Sequence, residues 1–485
     1  MQFTIRLIRG FLVCITIGLA VYPAKSQAQQ ISEDEIVSLS GWTTTLWSDA
    51  VPGSGIPDQE ILSITDSSGG TTRLEIDPAI IEQVGGLFSL DRTFVTVDGI
   101  NSAPLGAADQ SDTLSVQSIK PATAPEDIMG ARSANGISGS QPWLTILCKF
   151  SDVSAEPNPP SFFEDMYGNT YPGLDHYWQE QSYNQINLAG SDVIGWLTLS
   201  KPKSSYVYDA NGDGNAEINT DLAFDDCTAA ADGQVNFPSF VGINLMFNAD
   251  MASAWGGTTF QTLDGVSKIW YVTWEPPWGY QNLSIIAHEM GHGFGLPHSS
   301  GDYGVDYDNQ WDVMSDAWTN CTPDVKFGCL GQHTIAYHKN LLNWIKASEI
   351  LIPSPNSEID VTLERLALPT GALPKMIRIP IGGSDSHFFT VEVRRKTGYD
   401  EQLPGEAVVI HEVNTSWTSP AHVVDIDNDG DTGDGGAMWT AGEAFYDPID
   451  DIRVSIIDVT PTAFELTVAA NKSDFVYLAV LQLGP

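Results

Sequence analysis

The residues best suited to chemistry lie in one short segment, which reads His-Glu-Met-Gly-His-Gly-Phe-Gly-Leu-Pro-His from residue 288 to residue 298. Residues four apart share one face of a helix, so His288 and His292 can bind the same metal ion. Gly295 then allows a sharp turn at positive φ, which would return His298 as a third ligand. Three protein ligands with one open position are the catalytic arrangement of zinc, whereas structural zinc has four protein ligands.

Glu289 directly follows the first histidine and is not needed as a ligand. It is placed to take a proton from a zinc-activated water and so to act as the general base in attack on a peptide carbonyl. The alternative is a set of histidines hydrogen-bonded on an ordinary helix face. Three of the nine histidines fall within this 11-residue window, which argues against that alternative.

The long pattern His-Glu-x-x-His-x-x-Gly-x-x-His resembles the metzincin superfamily of zinc endopeptidases. In metzincins a methionine in a tight turn lies beneath the zinc site, and Met314 in the stretch Trp311-Asp312-Val313-Met314 fits that position. Together with this stretch, residues 171–183 and 335–345 are most similar to secreted gametolysin-like and immune-inhibitor-A-like metallopeptidases. The resemblance covers roughly residues 143–346. It implies a catalytic domain of two subdomains around a cleft, with a twisted mixed sheet, an active-site helix on the floor and a substrate strand added to a sheet edge.

The sequence departs from the superfamily in ways that limit what is carried over. Asp316 stands two residues after Met314, where many metzincins have a tyrosine, so no oxyanion donor is transferred. Several relatives silence the zymogen with a propeptide cysteine on the zinc. Residues 29–147 contain no cysteine, so that latch has no counterpart here.

The composition changes along the chain predict an α+β protein with several parts. A basic start at Arg6 and Arg9, an apolar run and the small residues Ser26 and Ala28 are typical of a cleaved secretory signal, which predicts a secreted, extracellular protein. The predicted parts are a signal peptide (1–28), an N-terminal β-rich domain or propeptide (29–125), a linker (126–141), a zinc peptidase domain (142–350) and a C-terminal β-sandwich-like domain (351–485). Whether residues 29–125 are removed stays open.

The charge excludes several classes of partner. The formal net charge is −40, and residues 1–28 contain three basic residues and no acidic ones, so the mature chain is still more acidic. Such a surface argues against nucleic acid and against anionic membranes after signal cleavage. The resemblance implies protein or peptide substrates, and we expect a monomeric enzyme.

Four cysteines remain beyond the signal peptide, and an even number in a secreted chain favours disulfides. Three pairings are possible. Cys321 and Cys329 would close a short loop, which favours that pair and leaves Cys148 with Cys227.

Two acidic loops are candidate structural calcium sites. In the first, oxygen ligands alternate and Gly214 occupies the sixth position, but Thr220 stands where an EF-hand has glutamate. Its candidate ligands are Asp209, Asn211, Asp213, Asn215, Glu217 and Asp221. The second loop offers Asp425, Asp427, Asp429, Asp431 and Asp434, whose charges repel one another without a cation. A solvated acidic turn is the alternative for both loops.

A different class of function also fits part of the sequence. A calcium-stabilised extracellular binding or adhesion protein with a degenerate peptidase domain would share the acidic loops and the β-rich ends. The intact Glu289 and the three intact histidines speak against it.

Overall fold

The computed structural model describes residues 36–51, 54–102, 112–125, 128–132, 136–209, 212, 214–301, 303, 305 and 307–470. The predicted signal peptide lies outside the described residues. Within the described part, no helix is long and apolar enough to cross a membrane.

The N-terminal strands close into a ring around their own core. Strand β1 pairs with both β2 and β4, β3 pairs with β2 and β5, and β4 pairs with β5. Alternate residues such as Val95 and Val97 point inward and are fully buried, as period-2 alternation requires. The elements are β1 (Ile36–Ala50), β2 (Gln59–Asp66), β3 (Thr71–Ile76), α1 (Pro78–Gln83), α2 (Leu87–Leu90), β4 (Phe94–Ser102) and β5 (Asp112–Pro121).

The central part of the chain builds a mostly parallel sheet covered by helices. Its elements are β6 (Gly139–Ser140), β7 (Trp143–Lys149), α3 (Pro160–Met166), α4 (Leu174–Gln181), β8 (Ile186–Asn187), β9 (Asp192–Thr198), β10 (Val207–Tyr208), β11 (Glu217–Ile218), α5 (Thr220–Ala231), β12 (Gly242–Phe247), β13 (Ser253–Leu263), β14 (Val266–Glu275), α6 (Pro277–Tyr280), α7 (Leu283–Phe294) and α8 (Ala336–Leu341). Strands β14, β12, β7 and β9 run parallel to one another, and β13 pairs with β14 in the antiparallel direction. The apolar runs of β7 and β12 are buried on both faces, as expected for parallel strands between helices.

One strand joins these two parts. Strand β1 is 15 residues long, and its last five residues, Leu46–Ala50, pair antiparallel with residues 253–257 of β13. In the described residues this produces one continuous sheet of ten strands, in the order β2-β3-β5-β4-β1-β13-β14-β12-β7-β9. The edge strand of the central sheet is therefore covered by a strand from the N-terminal part.

The C-terminal strands form two sheets whose facing side chains share one core, including Ile377, Val391, Val454 and Leu466. The chain as described is mixed α and β with strands in the majority, consistent with an α+β protein. The strands are β15 (Ser299–Ser300), β16 (Pro323–Asp324), β17 (Gly328–Cys329), β18 (Ile350–Leu351), β19 (Ser357–Glu364), β20 (Met376–Pro380), β21 (His387–Arg394), β22 (Ala407–Asn414), β23 (Ala421–Val423), β24 (Ala444–Asp447), β25 (Ile452–Val459) and β26 (Ala463–Ala470). The two sheet orders are β15-β23-β22-β21-β20-β18 and β19-β26-β25-β24, and β16 and β17 form a separate two-stranded sheet.

The cysteine pairs agree with the pairing favoured by the sequence. Cys148 pairs with Cys227 and Cys321 with Cys329, at Cα separations of 6.0 and 5.3 Å. The first bond ties β7 to α5. The second closes the short loop between the Met314 region and β17.

Candidate metal centre

Helix α7 carries the first two histidines, and its sequence explains where it ends. The helix stops at Gly295, whose φ of 92° is left-handed and whose amide donates back to the carbonyls of Gly291 and His292. All twelve residues of the helix are buried. The turn at Gly295 sends the chain back across the helix and places His298 beside the other two histidines.

The three imidazoles converge on one point. The Nε2 atoms of His288 and His292 are 3.0 Å apart, and His298 Nε2 lies 3.2 and 3.1 Å from them. Ligands about 2.0–2.1 Å from a tetrahedral zinc ion stand about 3.3 Å from each other. The observed triangle therefore has the dimensions of one face of a zinc tetrahedron.

The outer nitrogens show why this triangle needs a cation. His288 Nδ1 donates to the Val313 carbonyl at 2.7 Å, and His292 Nδ1 donates to the Leu296 carbonyl at 2.8 Å. In a neutral imidazole the proton on Nδ1 leaves Nε2 with a lone pair. These two lone pairs point at each other inside a buried space. They repel unless a positive ion lies between them, so the donor set fits a metal ion.

A fourth donor comes from the N-terminal part of the chain. Asp49 on β1 places Oδ1 2.8 Å from His298 Nε2 and 3.2 Å from His288 Nε2, and Oδ2 lies 3.4 Å from His292 Nε2. Asp49 and the three histidines form a buried group that can hold one metal ion. Trp47 lies on the same face of β1 and stacks on the His292 ring, with centroids 5.1 Å apart.

Glu289 lies beside this group and is fully buried. Among the described residues, neither of its carboxylate oxygens accepts a hydrogen bond from a protein donor. Burial, followed by the negative charge of Asp49, raises the pKa of Glu289 well above its ordinary value. Strand β13 comes very close here, because a Cβ on Gly256 would lie 2.7 Å from Glu289 Oε2. Glycine at position 256 therefore leaves the space that the carboxylate uses.

Met314 lies under α7, where a Cβ on Gly291 would meet its Sδ at 2.4 Å. Asp312 holds this turn, since its carboxylate accepts from the Met314 amide and the Ser299 hydroxyl and contacts His338 Nδ1 at 2.9 Å. This turn also presents the carbonyl of Val313, which accepts the hydrogen bond that fixes the His288 ring. Asp316, at the position where the sequence lacks a tyrosine, accepts instead from the amides of residues 318 and 319.

A tyrosine reaches the centre from a different part of the chain. The Tyr307 hydroxyl lies within hydrogen-bond distance of two carboxylates, Asp58 at the shorter distance and Asp49 at 3.0 Å, which share its single proton. Burial and the charge of Asp49 raise the pKa of Tyr307, so the hydroxyl keeps its proton and acts as a donor. Next to it a pocket opens beside Glu289, walled by the stacked rings of Trp278 and Trp318.

The two acidic loops differ in how many of their predicted ligands lie close together. In the first, Asn211 and Asp213 lie outside the described residues. Its remaining acids form no described group of three that would share an ion. Glu217 instead accepts from the Ser253 hydroxyl and the Trp255 indole, and Asp209 accepts from the Gly212 and Gly214 amides. Asn215 and Asp221 have contacts of their own. Calcium in this loop stays a prediction.

The second loop brings three of its five predicted ligands together, namely Asp425, Asp427 and Asp434. Contact with Asp425 raises the pKa of Asp427. The other two point elsewhere, since Asp429 accepts from the amide of residue 431, and Asp431 accepts from Gln310 and the amide of residue 433. Calcium here also stays a prediction, with a smaller ligand set.

The sequence did not indicate Asp49, Trp47 or the position of Tyr307. Asp49 is 249 residues from His298, and nothing in the spacing of β1 connects it with the histidine motif. The one available signal was the even alternation of β1, which puts Trp47 and Asp49 on a single face.

The fold and the centre define a class, namely a strand-rich α+β protein with a buried three-histidine, one-carboxylate site that can hold a metal ion. Comparison of the chain with protein-family models and with curated proteins found no match.

Proposed function

We propose that the chain is a secreted zinc-dependent endopeptidase of metzincin type, with Glu289 as its general base. The observation that carries the proposal is the convergence of three histidine Nε2 atoms beside a buried glutamate whose carboxylate oxygens accept no hydrogen bond from the described residues. A buried carboxylate without a hydrogen-bond donor destabilises the fold, so its presence next to a metal site calls for a chemical reason.

The sheet edge above the centre supports a peptide substrate. Strand β13 presents its backbone to Leu46–Ala50 in an antiparallel ladder that passes directly over the histidines. An extended peptide bound in the same way would pass its backbone over the metal, and its main chain would provide the hydrogen bonds. Displacement of β1 would also remove Asp49 and Ala50 from the wall of the small pocket beside Glu289, which would leave Trp278 and Trp318 to contact a substrate side chain.

Each residue of the proposed catalytic centre has its own role. The histidines would hold zinc, which would supply a Lewis acid. Glu289 would accept a proton from the attacking water and pass it to the leaving amine. In an open site the Tyr307 hydroxyl, now held by Asp49 and Asp58, would donate to the substrate carbonyl oxygen.

A second candidate follows from Asp49. Four protein ligands are the arrangement of a structural zinc site, which would fit a non-catalytic extracellular binding protein. Zinc would then serve only to join the N-terminal part to the central sheet. Glu289 has no role in that description, and we therefore rank it second.

Casein hydrolysis tests the proposal. Zinc-loaded protein and a Glu289→Gln variant are assayed intact and after limited trypsin treatment, because β1 covers the substrate edge in the intact chain. The trypsin is blocked before the assay. We expect the treated wild type to cleave casein, the variant to be slower by about 10²–10⁴-fold, and a zinc chelator to abolish cleavage.

Zinc content measured on the same samples is the control, since Glu289→Gln should leave it unchanged. Equal activity of the two proteins, or no activity in zinc-loaded, treated wild type, would contradict the proposal.

A further inference from the structure

We propose that Asp49, carried by β1, is an autoinhibitory ligand that keeps the centre closed until the N-terminal part is displaced. The inference rests on the proposed function, because it assigns Asp49 to the position that a catalytic zinc site leaves open.

Asp49 contacts all three histidines. One carboxylate oxygen lies within 2.8–3.2 Å of two Nε2 atoms and the other lies 3.4 Å from the third. The carboxylate therefore lies where it can supply the fourth ligand of the metal ion that the three histidines would hold. The same carboxylate lies 3.0 Å from the Tyr307 hydroxyl, whose shorter contact is with Asp58. Asp49 therefore takes the open metal position and shares the hydrogen-bond donor next to it with Asp58.

Strand β1 also fills the place of a substrate backbone. The five residue pairs between Leu46–Ala50 and β13 use the edge that the proposed function assigns to an extended peptide. Trp47 covers the rings of His292 and His298 from the same face of the strand. The result is a closed centre, in which His288, His292 and Glu289 are at most 2 % exposed. No peptide chain can reach Glu289 without moving β1.

The N-terminal part is held by a few specific contacts besides this ladder. Arg92 forms an ion pair with Asp91 and donates to the Phe294 carbonyl at the end of α7. Thr258 on β13 donates to Asp91. The covalent connection between the two parts runs from the end of β5 at Pro121 to the start of β7 at Trp143. A cut in that connection would make the five-pair ladder and the Arg92 contacts intermolecular, and dilution would then favour release.

Asp49 as a purely structural ligand and Asp49 as an autoinhibitory latch lead to different predictions. If Asp49 serves only stability, its removal weakens metal binding and opens nothing. If Asp49 is a latch, its removal leaves three histidine ligands and frees a coordination position. The access of a small probe ligand to the metal therefore distinguishes the two alternatives.

The test uses the full mature chain with Asp49→Ala and the matched control Asp58→Asn. Asp58 also contacts the Tyr307 hydroxyl, but it does not belong to the group that can hold the metal ion. Each protein is loaded with Co²⁺, and the visible spectrum is recorded during titration with acetohydroxamate, which binds an open metal position. Casein hydrolysis by the zinc-loaded proteins is the second measurement.

We expect acetohydroxamate to change the spectrum of Asp49→Ala at concentrations at least about tenfold lower than for wild type or Asp58→Asn. Casein hydrolysis should rise by at least the same factor in Asp49→Ala. If Asp49→Ala does not fold, the nearly isosteric Asp49→Asn is titrated in the same way. The acetohydroxamate concentration should then fall by less than for Asp49→Ala, because the neutral amide still binds the metal, although more weakly than the carboxylate.

Equal acetohydroxamate binding by wild type and Asp49→Ala overturns the latch, whatever the activity. Loss of Co²⁺ from Asp49→Ala overturns it in favour of a structural site. If the probe binds the variant tightly but casein is not cleaved, the latch stands and the proposed peptidase function fails.

Discussion

Within the described residues two clusters can hold a cation, and they differ in how much of their geometry exists before the cation arrives. At the histidine centre every donor is buried, and Val313 and Leu296 fix two of the rings through their carbonyls. At the acidic loop Asp427 is exposed, and two of the five predicted ligands face other partners. Pre-organised donors lose little entropy on binding a metal, whereas exposed carboxylates must be ordered by it.

The loop nevertheless contacts the segment that leads back to the centre. Trp311 donates from its indole to the Thr432 carbonyl, and Gln310 donates to Asp431. Tyr303 contacts Asp425 from the same segment. This segment lies between the third histidine and Met314 and carries Tyr307. The second cluster is therefore placed to stabilise the first without sharing a ligand with it.

The largest effect should come from removing a histidine. His292→Gln loses a ligand that is already fixed by the Leu296 carbonyl, so zinc affinity should fall by more than the roughly 10–100-fold typical of an outer-shell change. Competition with a chromophoric chelator measures it. The control is His387→Gln, a partly exposed histidine paired with Glu412. If the two variants bind zinc equally well, the histidine centre does not hold the metal.

Breaking the support of the Met314 turn should have an intermediate effect. Although burial raises its pKa, His338 holds the pKa of Asp312 well below the usual range. Asp312→Asn should therefore lower the free energy of unfolding at pH 7 by about 3 kcal/mol, as expected for a broken buried pair. Zinc affinity should also fall, because the turn presents the carbonyl that orients His288.

The pH dependence of that stability difference gives a separate check. A carboxyl with a depressed folded pKa stabilises the protein above its unfolded value of about 3.9, and this contribution is lost as the pH falls through the lower folded value. The gap between wild type and Asp312→Asn should stay constant from pH 7 to pH 5 and shrink below pH 4 in denaturant unfolding. A gap that grows toward low pH would contradict this assignment.

The smallest effect should come from the acidic loop. Calcium should raise the melting temperature of the wild type by about 2 °C, in line with weak binding to a large chain. Asp427→Asn with Asp434→Asn should remove that shift, and Asp429→Asn should keep it, because Asp429 faces the backbone instead. A calcium shift that survives the double substitution would show that these carboxylates do not form a site.

The parts of the centre that the sequence predicted are those determined by local spacing. His288, His292 and Gly295 follow from helix periodicity and glycine conformation, and the structure places them as that spacing requires. Asp49 and Tyr307 depend on long-range packing between β1, β13 and the segment after His298. Spacing contains no information on such contacts.

At the two acidic loops, in contrast, the sequence pattern predicted more ligands than the fold brings together. Alternating oxygens suggested six and five ligands, but the structure gives Glu217 and Asp431 other hydrogen-bond partners. The pattern shows which side chains are available. Only the fold determines where each of them points.

The ladder between β1 and β13 has a consequence for solubility. Removal of the N-terminal part would expose residues 253–257 of β13 as an unprotected sheet edge, which contains Ala254, Trp255 and two glycines. Such an edge can pair with another copy of itself as readily as with a substrate. A chain produced without its first strands should therefore aggregate more than the whole chain, and a short peptide with the sequence of residues 46–50 should counteract this.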